Sequence, residues 1–367
     1  MDAVIAGLGT ALPQHSVDQS FAGTAAVAYC CEKADQARSV EALYRATGVN
    51  TRHSIVLKAS EGSPEQRQDF FASRSADNPY GPSTGERMAF FASSAGPLAV
   101  QASSNAMTES GTTADQITHL ITVTCSGFSA PGFDQHLFQH LPLRSTVERT
   151  QIGFMGCHAA LNALRVARAF VRADPQAVVL ICCVELCTLH YQYGWDPEQI
   201  VANSLFADGA AACVVRAGAF AAPTSASRFR ILATGSMMLP DSRDAMTWGI
   251  GDHGFRMTLS ASVPALLGAH LSPWLSEWLA VHGQSIEAIQ TWAVHPGGPR
   301  ILKAFCEAMR LDQDCVQVSR EILRQFGNMS SPTLLFILKR LSESQAPVPC
   351  VAIGFGPGLA AEATLLG

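Results

Sequence analysis

Short apolar segments alternate with longer amphipathic segments along most of the chain. Continuous apolar runs predict buried strands at residues 3–13, 119–124, 177–184, 207–215, 229–239, 291–294 and 350–353. Apolar residues at helical spacing predict helices at residues 20–33, 37–48, 85–109, 159–171, 263–280, 299–310, 319–325 and 331–342. Because strands and helices alternate, the pattern predicts an α/β fold whose sheets are covered by helices.

A composition change divides the chain. Residues 217–227 are rich in Ala, Ser, Thr and Pro and predict a linker, and the polar residues 59–84 predict a surface segment. The two halves, residues 1–222 and 223–367, have similar successions of strands and helices. This similarity indicates an internal duplication.

The composition narrows the class of protein. Apolar residues make up 48% and charged residues 15% of 367 positions, whereas charged residues usually make up about 25%. So few charges leave little polar surface, which predicts a large core and an oligomer interface. The net charge of -5 and the lack of a basic stripe argue against a nucleic-acid partner.

The sequence predicts neither a membrane span nor a signal peptide, and together with the cysteine usage this indicates a cytoplasmic protein. The longest apolar runs are far shorter than the roughly 18 residues of a membrane span. Asp2 stands where a signal peptide needs positive charge. The 11 cysteines, an odd number without a CxxC motif, are interpreted as free thiols. The histidines have no metal-ligand spacing, so no metal is expected.

Cys157 is the best candidate nucleophile. It follows a short apolar segment and Gly156, and it precedes an amphipathic helix. A helix N-terminus favours a thiolate, because its free N–H groups and dipole stabilise negative charge. A buried structural cysteine would give the same local pattern.

Histidine and asparagine candidates lie in the second half. His295, in Val294-His-Pro-Gly-Gly298, comes just after a buried strand, where α/β folds place ligands. Asn328, in Gly327-Asn-Met-Ser-Ser331, comes before a predicted helix. A packed turn would also explain the first motif, and helix N-capping by Ser330 or Ser331 would also explain the second.

A glycine-rich motif ends the last predicted strand. The spacing of Gly354-Phe-Gly-Pro-Gly358 differs from a dinucleotide-binding fingerprint, and Pro357 breaks a helix start there, so a Rossmann oxidoreductase is disfavoured. We expect a rigid turn that lines a cavity and offers backbone N–H groups as an oxyanion hole.

Taken in order, these motifs resemble those of type III polyketide synthases, the chalcone and stilbene synthase-like branch of the thiolase superfamily. The resemblance also includes Gly153-Phe-Met-Gly-Cys157 and Leu205-Phe-Ala-Asp-Gly-Ala-Ala-Ala212, whereas the first 115 residues match loosely. It implies a thiolase-like duplicated αβαβα layered sandwich and a homodimer.

The resemblance also implies a mechanism. Cys157 would carry the acyl group of a starter acyl-CoA as a thioester. His295, as an imidazolium, would stabilise the Cys157 thiolate. His295 and Asn328 would donate hydrogen bonds to malonyl-CoA as it loses CO2. The substrates are CoA thioesters, and no cofactor is needed.

Further positions correspond to substrate-binding residues of the family. Phe206 and Met257 occupy the two gatekeeper positions, where the family has two phenylalanines. Gly297 and Gly298 match the pair beside the pantetheine arm. Others are expected to shape the cavity, and these are Cys125, Ala130, Trp248, Ser330, Gly354 and Pro357. Arg45 and Arg52 are candidates for binding CoA phosphates, although either could be a solvated surface charge.

Three of the expected cavity residues differ from those of the plant enzymes of the family, and these differences suggest the substrate. Cys125 replaces a threonine, Ala130 a bulky residue and Trp248 a glycine of the plant enzymes. A channel opened by Ala130 would accept an aliphatic chain, unless neighbouring side chains refill the gap. We therefore hypothesise a fatty acyl-CoA starter and an alkylresorcinol or alkylpyrone product.

Two alternatives remain open from the sequence. The chain could be a ketoacyl synthase III-like or acyl-transfer enzyme that acts once and stops. It could also be a non-catalytic partner subunit, although the intact Cys157, His295 and Asn328 argue against that.

Overall fold

The computed structural model describes residues 2–218 and 229–367. The expected boundary between residues 222 and 223, and most of the expected linker, lie outside the described residues. The strands are β1 (Asp2–Ala11), β2 (Ser16–Asp18), β3 (Thr51–His53), β4 (His119–Thr124), β5 (Glu148–Gly153), β6 (Val178–Leu186), β7 (Asp208–Gly218), β8 (Phe229–Met238), β9 (Met246–Gly251), β10 (Gly254–Leu259), β11 (Thr291–Val294), β12 (Cys350–Gly356) and β13 (Ala360–Leu366). The α-helices are α1 (Gln19–Cys30), α2 (Ala37–Ala46), α3 (Pro64–Arg67), α4 (Thr84–Ser110), α5 (Phe133–His140), α6 (Ala159–Ala173), α7 (Pro197–Leu205), α8 (Val263–Val281), α9 (Pro299–Met309), α10 (Gln317–Phe326) and α11 (Ser331–Glu343).

One nine-stranded sheet runs through both halves in the order β11-β12-β13-β8-β1-β7-β6-β4-β5. The order β1-β7-β6-β4 in the first half is repeated as β8-β13-β12-β11 in the second. In both series the first two pairings are antiparallel and the third is parallel. The antiparallel pair β1–β8 joins the halves. This repetition agrees with the internal duplication predicted from the sequence.

Helices cover the sheet in layers. The central core packs α6 and α11 against strands of both halves. A second core lies between α4, α5 and the first half, and a third between α8, α9 and the second half. The first-half and second-half parts of the continuous sheet thus act as two β layers, with α6 and α11 between them and the remaining core helices outside, which is the αβαβα arrangement.

The structure differs from the pattern-based elements in several places. Residues 85–109, predicted from the sequence as one or two helices, form the single helix α4, which begins with a Ser83–Glu86 capping box and continues through Pro97. Helices α5 and α7, strand β13 and the hairpin of β9 and β10 were not predicted. That hairpin is a separate two-stranded sheet.

Candidate active site

Cys157 lies in the 3₁₀ turn Gly156–His158, which connects the end of β5 to α6. The turn needs glycine before the cysteine. Gly156 has a φ of 75°, and an added Cβ would lie 2.5 Å from Cδ of Pro357. The strand-turn-helix location predicted for Cys157 is therefore observed.

Cys157 opens into a cavity that we call the nucleophile cavity. Seven residues selected from the sequence line it, namely Cys125, Cys157, Phe206, Trp248, Met257, Ser330 and Pro357. Sequence reasoning did not assign the lining residues Cys187, Met246 and Thr247 to the site. The volume accessible to the centre of a water molecule is ≈ 30 Å³, which is room for only a few waters. A substrate must therefore displace flexible side chains such as Met257.

Asn328 and Ser330 lie beside the Cys157 thiol. Both side chains lie close enough to Cys157 to lower the pKa of its thiol by hydrogen bonding, and the Ser330 hydroxyl lies 3.4 Å from Sγ of Cys125. The Ser330 N–H donates to Oδ1 of Asn328 at 2.8 Å, so the Asn328 amide keeps its NH₂ group for the site. Ser330 occupies the predicted N-cap position of α11, but its side chain makes no capping bond. It also has a left-handed φ of 56°, a strained conformation that is typical of functional sites.

His295 is buried at the end of β11, with 1% of its surface exposed. Neither ring nitrogen has a hydrogen-bond partner among the described residues. Gly354 connects it to the nucleophile turn, because an added Cβ would lie 3.2 Å from Cα of His158 and 3.6 Å from Cβ of His295. A buried imidazole without partners can still donate a hydrogen bond to a bound molecule.

Cys157 as a residue is only half-buried, but desolvation of its thiol by the surrounding protein dominates the electrostatics of the candidate nucleophile. It raises the pKa of Cys157 from 9.0 to about 11, although the hydrogen bond from Ser330 acts in the opposite direction. Burial also lowers the pKa of His295 to about 3, with a smaller effect from His158. Desolvation thus outweighs the helix N-terminus, and it opposes the imidazolium expected from the sequence. Without a substrate, the favoured forms are a neutral thiol and a neutral imidazole.

Glu185 is an important side chain that the sequence reasoning missed. This fully buried carboxylate accepts hydrogen bonds from the Cys125 N–H (3.0 Å), the Ser126 hydroxyl (2.5 Å) and the Ser331 hydroxyl (2.7 Å). Burial raises its pKa, and its charge raises the pKa of Cys157. Glu185 interrupts the apolar run of β6, and this feature of the sequence could have identified it. A carboxylate in a buried strand is rare unless hydrogen-bond donors or a function keep it there.

The two gatekeeper candidates separate the nucleophile cavity from a neighbouring cavity. Phe206 and Met257 line both cavities, and Gly297 and Asn328 line the neighbouring one. Trp248 faces Met257 across the β9–β10 hairpin, and its indole N–H donates to the Cys125 carbonyl at 2.7 Å. The cavity is therefore narrow between Phe206, Trp248 and Met257.

Some of the predicted positions lie elsewhere. Ala130 is exposed and lines none of the five cavities compared, including the nucleophile cavity. Gly298 begins α9 with a φ of 148° and packs near Leu205. Gly354 is paired within β12 rather than in a turn. The Gly358 N–H donates to the Met246 carbonyl, so it is not free for an oxyanion hole.

The two arginine candidates for CoA phosphates differ in exposure. The Arg45 side chain is 67% exposed and pairs with Glu41. Arg52 is buried and donates to Gln19 and to the carbonyls of Asn203 and Phe206. Arg52 is therefore neither a surface charge nor available to a phosphate.

The described residues contain neither a metal-ligand cluster nor a membrane-spanning helix. Within residues 2–218 and 229–367, no group of three or more His, Cys, Asp or Glu side chains could hold a metal ion. No helix in these ranges has the length and apolar character needed to cross a bilayer.

Comparison with known protein families covers both halves. Residues 1–219 match the N-terminal domain, and residues 230–367 the C-terminal domain, of the chalcone and stilbene synthases. The alpha-pyrone synthesis polyketide synthase-like protein Pks18 of Mycobacterium tuberculosis is 30% identical over 99% of this chain and 90% of its own length. The 1,3,6,8-tetrahydroxynaphthalene synthase of Streptomyces peucetius subsp. caesius is 31% identical over 99% of this chain and 92% of its own.

Solved structures give the same result. PKS-I from the brown alga Ectocarpus siliculosus superposes with a TM-score of 0.91 at 29% identity, over 100% of this chain and 98% of that one. The C-terminal type III polyketide synthase domain of Steely1 from Dictyostelium superposes with a TM-score of 0.89 at 25% identity, over 100% and 99%. The fold is thus the predicted thiolase-like duplicated sandwich. The chain belongs to the chalcone and stilbene synthase family, and it is a type III polyketide synthase, an acyltransferase that uses CoA thioesters in decarboxylative Claisen condensations without a prosthetic cofactor.

Proposed function

We propose that Cys157, His295 and Asn328 carry out the condensation. The observation that carries this proposal is that the Ser330 hydroxyl and the Asn328 amide lie beside the Cys157 thiol, while the unpartnered imidazole of His295 is buried close to the same turn.

Loading requires the thiolate of Cys157. The thiolate attacks the carbonyl carbon of the acyl-CoA, the bond between that carbon and the CoA sulfur breaks, and CoA leaves as a thiol after taking a proton. Hydrogen bonds from Asn328 and Ser330 lower the pKa of Cys157 and offset part of the cost of burial. His295 accepts the thiol proton of Cys157 as negative charge develops on the Cys157 sulfur.

Extension uses the same groups as hydrogen-bond donors. When malonyl-CoA loses CO2, the electron pair of the broken C–C bond forms an enolate with negative charge on the thioester oxygen. A neutral His295 has one N–H to donate, and the Asn328 NH₂ group supplies a second donor. The enolate carbon then attacks the acyl thioester, and Cys157 leaves as a thiolate.

We further propose a fatty acyl-CoA starter and an alkylresorcinol or alkylpyrone product. The wall of the nucleophile cavity supports an aliphatic chain, because it is made mostly of thiols, methionines and aromatic rings. The relative named for alpha-pyrone synthesis supports lactone formation. The channel expected at Ala130 does not support this proposal.

The test is an incubation of malonyl-CoA with acyl-CoAs of increasing chain length and with aromatic CoA esters, read by mass spectrometry. We compare the wild type with Cys157→Ala and with the control Cys31→Ala, whose thiol lies just beyond α1. We expect products heavier than the starter by two or three acetate units, formed from fatty acyl-CoA and absent only in Cys157→Ala.

Other outcomes have definite meanings. A single condensation, or acylated Cys157 without extension, would support the ketoacyl synthase III-like or acyl-transfer alternative. A higher kcat/KM for aromatic CoA esters than for fatty acyl-CoAs would contradict the proposed starter.

We also propose a homodimer in the cytoplasm, where thiols stay reduced. Phe128 and Met155 are 41% and 39% exposed, and Phe128 stacks on Phe154 with ring centroids 4.9 Å apart. Ala130, two residues after Phe128, is also exposed. An exposed apolar group of this kind is typical of an interface. Light scattering after size exclusion should give about twice 39.0 kDa for the wild type.

A further inference from the structure

The β9–β10 hairpin brings four residues to the nucleophile cavity, yet it is separate from the main sheet. Met246, Thr247 and Trp248 from β9 and Met257 from β10 line the cavity. Strand β10 pairs with β9 along one edge only. The other edge presents backbone groups that need partners, since unpaired buried N–H and C=O groups are costly.

Three side chains from residues 190–199 supply these partners. The Phe255 N–H donates to Nδ1 of His190 at 3.0 Å. Gln192 donates to the carbonyls of His253 and Phe255 at 3.2 and 3.1 Å, and Gln199 donates to the Met257 carbonyl. Residues 253, 255 and 257 face the same edge of the strand, because backbone direction alternates along it. We call His190, Gln192 and Gln199 the anchor residues.

His190 connects the hairpin to the nucleophile cavity. An amide N–H can only donate, so Nδ1 of His190 is the acceptor and the proton is on Nε2, which donates to the Ser126 carbonyl at 2.8 Å. The ring stacks on Phe255 with centroids 4.1 Å apart and meets Trp248 edge-on. Burial lowers the pKa of His190 to about 3, which agrees with this neutral tautomer.

The backbone on both sides of His190 is held by Arg87. This fully buried arginine donates through Nη1 to the carbonyls of Leu189 and Tyr191, at 2.6 and 2.8 Å. Gln199 is likewise buried within α7, with 4% of its surface exposed. His190 ends a 3₁₀ turn and Gln199 lies in α7, whereas Gln192 lies in the segment between them, where its N–H donates to Oδ1 of Asn203 at 2.9 Å.

We propose that His190, Gln192 and Gln199 are positioning residues that hold the β9–β10 hairpin over the nucleophile cavity, so that Trp248 and Met257 limit the size of the acyl chain the enzyme accepts. Because Trp248 and Met257 are opposite one another, a shift of the hairpin moves both. The claim that the hairpin limits the acyl chain rests on the proposed acyl-CoA substrate. The claim that the anchor residues hold the hairpin does not depend on that substrate.

The test uses His190→Phe and Gln199→Leu, with His190→Asn as the conservative variant. Phenylalanine keeps the ring stack but leaves the Phe255 N–H unpaired, and leucine removes the bond to the Met257 carbonyl. Asparagine places an oxygen near the position of Nδ1, so it should restore the hairpin. The matched control is Gln290→Leu, because the Gln290 amide makes only an exposed bond of 3.4 Å.

Two readouts are needed, amide hydrogen exchange of peptides that cover residues 246–259 and the ratio of kcat/KM for a long and a short acyl-CoA. In His190→Phe and Gln199→Leu we expect exchange to be about tenfold faster and the ratio to shift about tenfold toward the long starter. The shift should be in KM, with little change in kcat for the short starter. Gln290→Leu and His190→Asn should resemble the wild type.

Several results would overturn the inference. Unchanged exchange would show that the anchor residues do not hold the hairpin, and faster exchange with an unchanged starter ratio would show that they do not set specificity. Gln199→Leu repeats the test if His190→Phe does not fold. If the wild type extends no starter, the proposed function fails, while the exchange measurement and the access of small and large alkylating reagents to Cys157 still test the hairpin.

Discussion

The reactivity of Cys157 toward iodoacetamide should rise steeply with pH. Burial raises the pKa of its thiol from 9.0 to about 11, which corresponds to about 3 kcal/mol against the thiolate. At pH 8 about one thiol in a thousand is then ionised, whereas about one in ten would be ionised with a pKa of 9. We therefore expect alkylation about a hundredfold slower than for an unperturbed cysteine, with a rate that rises about tenfold per pH unit up to pH 10.

The assay follows alkylation of the peptide that contains Cys157 by quenched-flow mass spectrometry, with the half-exposed Cys31 as an internal reference. Two variants should shift the rate in opposite directions. Ser330→Ala removes a hydrogen bond that lowers the pKa of Cys157, so alkylation at pH 8 should slow. Glu185→Gln removes a negative charge that raises the same pKa, so alkylation should become faster.

A rate that is constant between pH 6 and pH 9 would refute this reasoning. It would mean that the thiolate already exists at neutral pH, which requires a proton on His295 despite burial. In that case His295→Ala would make the rate pH-dependent again, and the ion pair expected from the sequence would be correct.

Further predictions concern stability and turnover. Glu185→Ala should lower the free energy of unfolding by about 3 kcal/mol in urea titrations, because several buried donors lose their acceptor. Gly327→Ala should cost about 1–3 kcal/mol in the same assay, because Gly327 has a φ of 72° and its Cβ would lie 3.0 Å from Cβ of Ala207. Asn328→Ala should slow decarboxylation of malonyl-CoA about a hundredfold or more, measured as release of acetyl-CoA, and an unchanged rate would contradict its role as a donor. Trp248→Ala should enlarge the nucleophile cavity and lengthen the products seen by mass spectrometry, and an unchanged product distribution would count against Trp248 as a wall.

Local patterns were sufficient for much of the fold and for the candidate site. The strand-turn-helix segment at Cys157 and the strand end before His295 involve residues close together in the sequence, so their apolar runs and glycines identify them. The hairpin of β9 and β10 was missed for a different reason. Its outer edge bonds to the side chains of His190, Gln192 and Gln199 and not to another strand. The sequence therefore has no apolar strand pattern nearby that would indicate a partner for it.

The sequence by itself determined the α/β alternation, the duplication and the family motifs, because each depends on local periodicity or on residues adjacent in the chain. Only the tertiary structure decided the charge state favoured at Cys157 and His295, since desolvation depends on every atom packed around a group. It also decided that Arg52 is buried among backbone carbonyls and that Ala130 is at the surface. These properties arise from contacts between distant segments, which no local pattern contains.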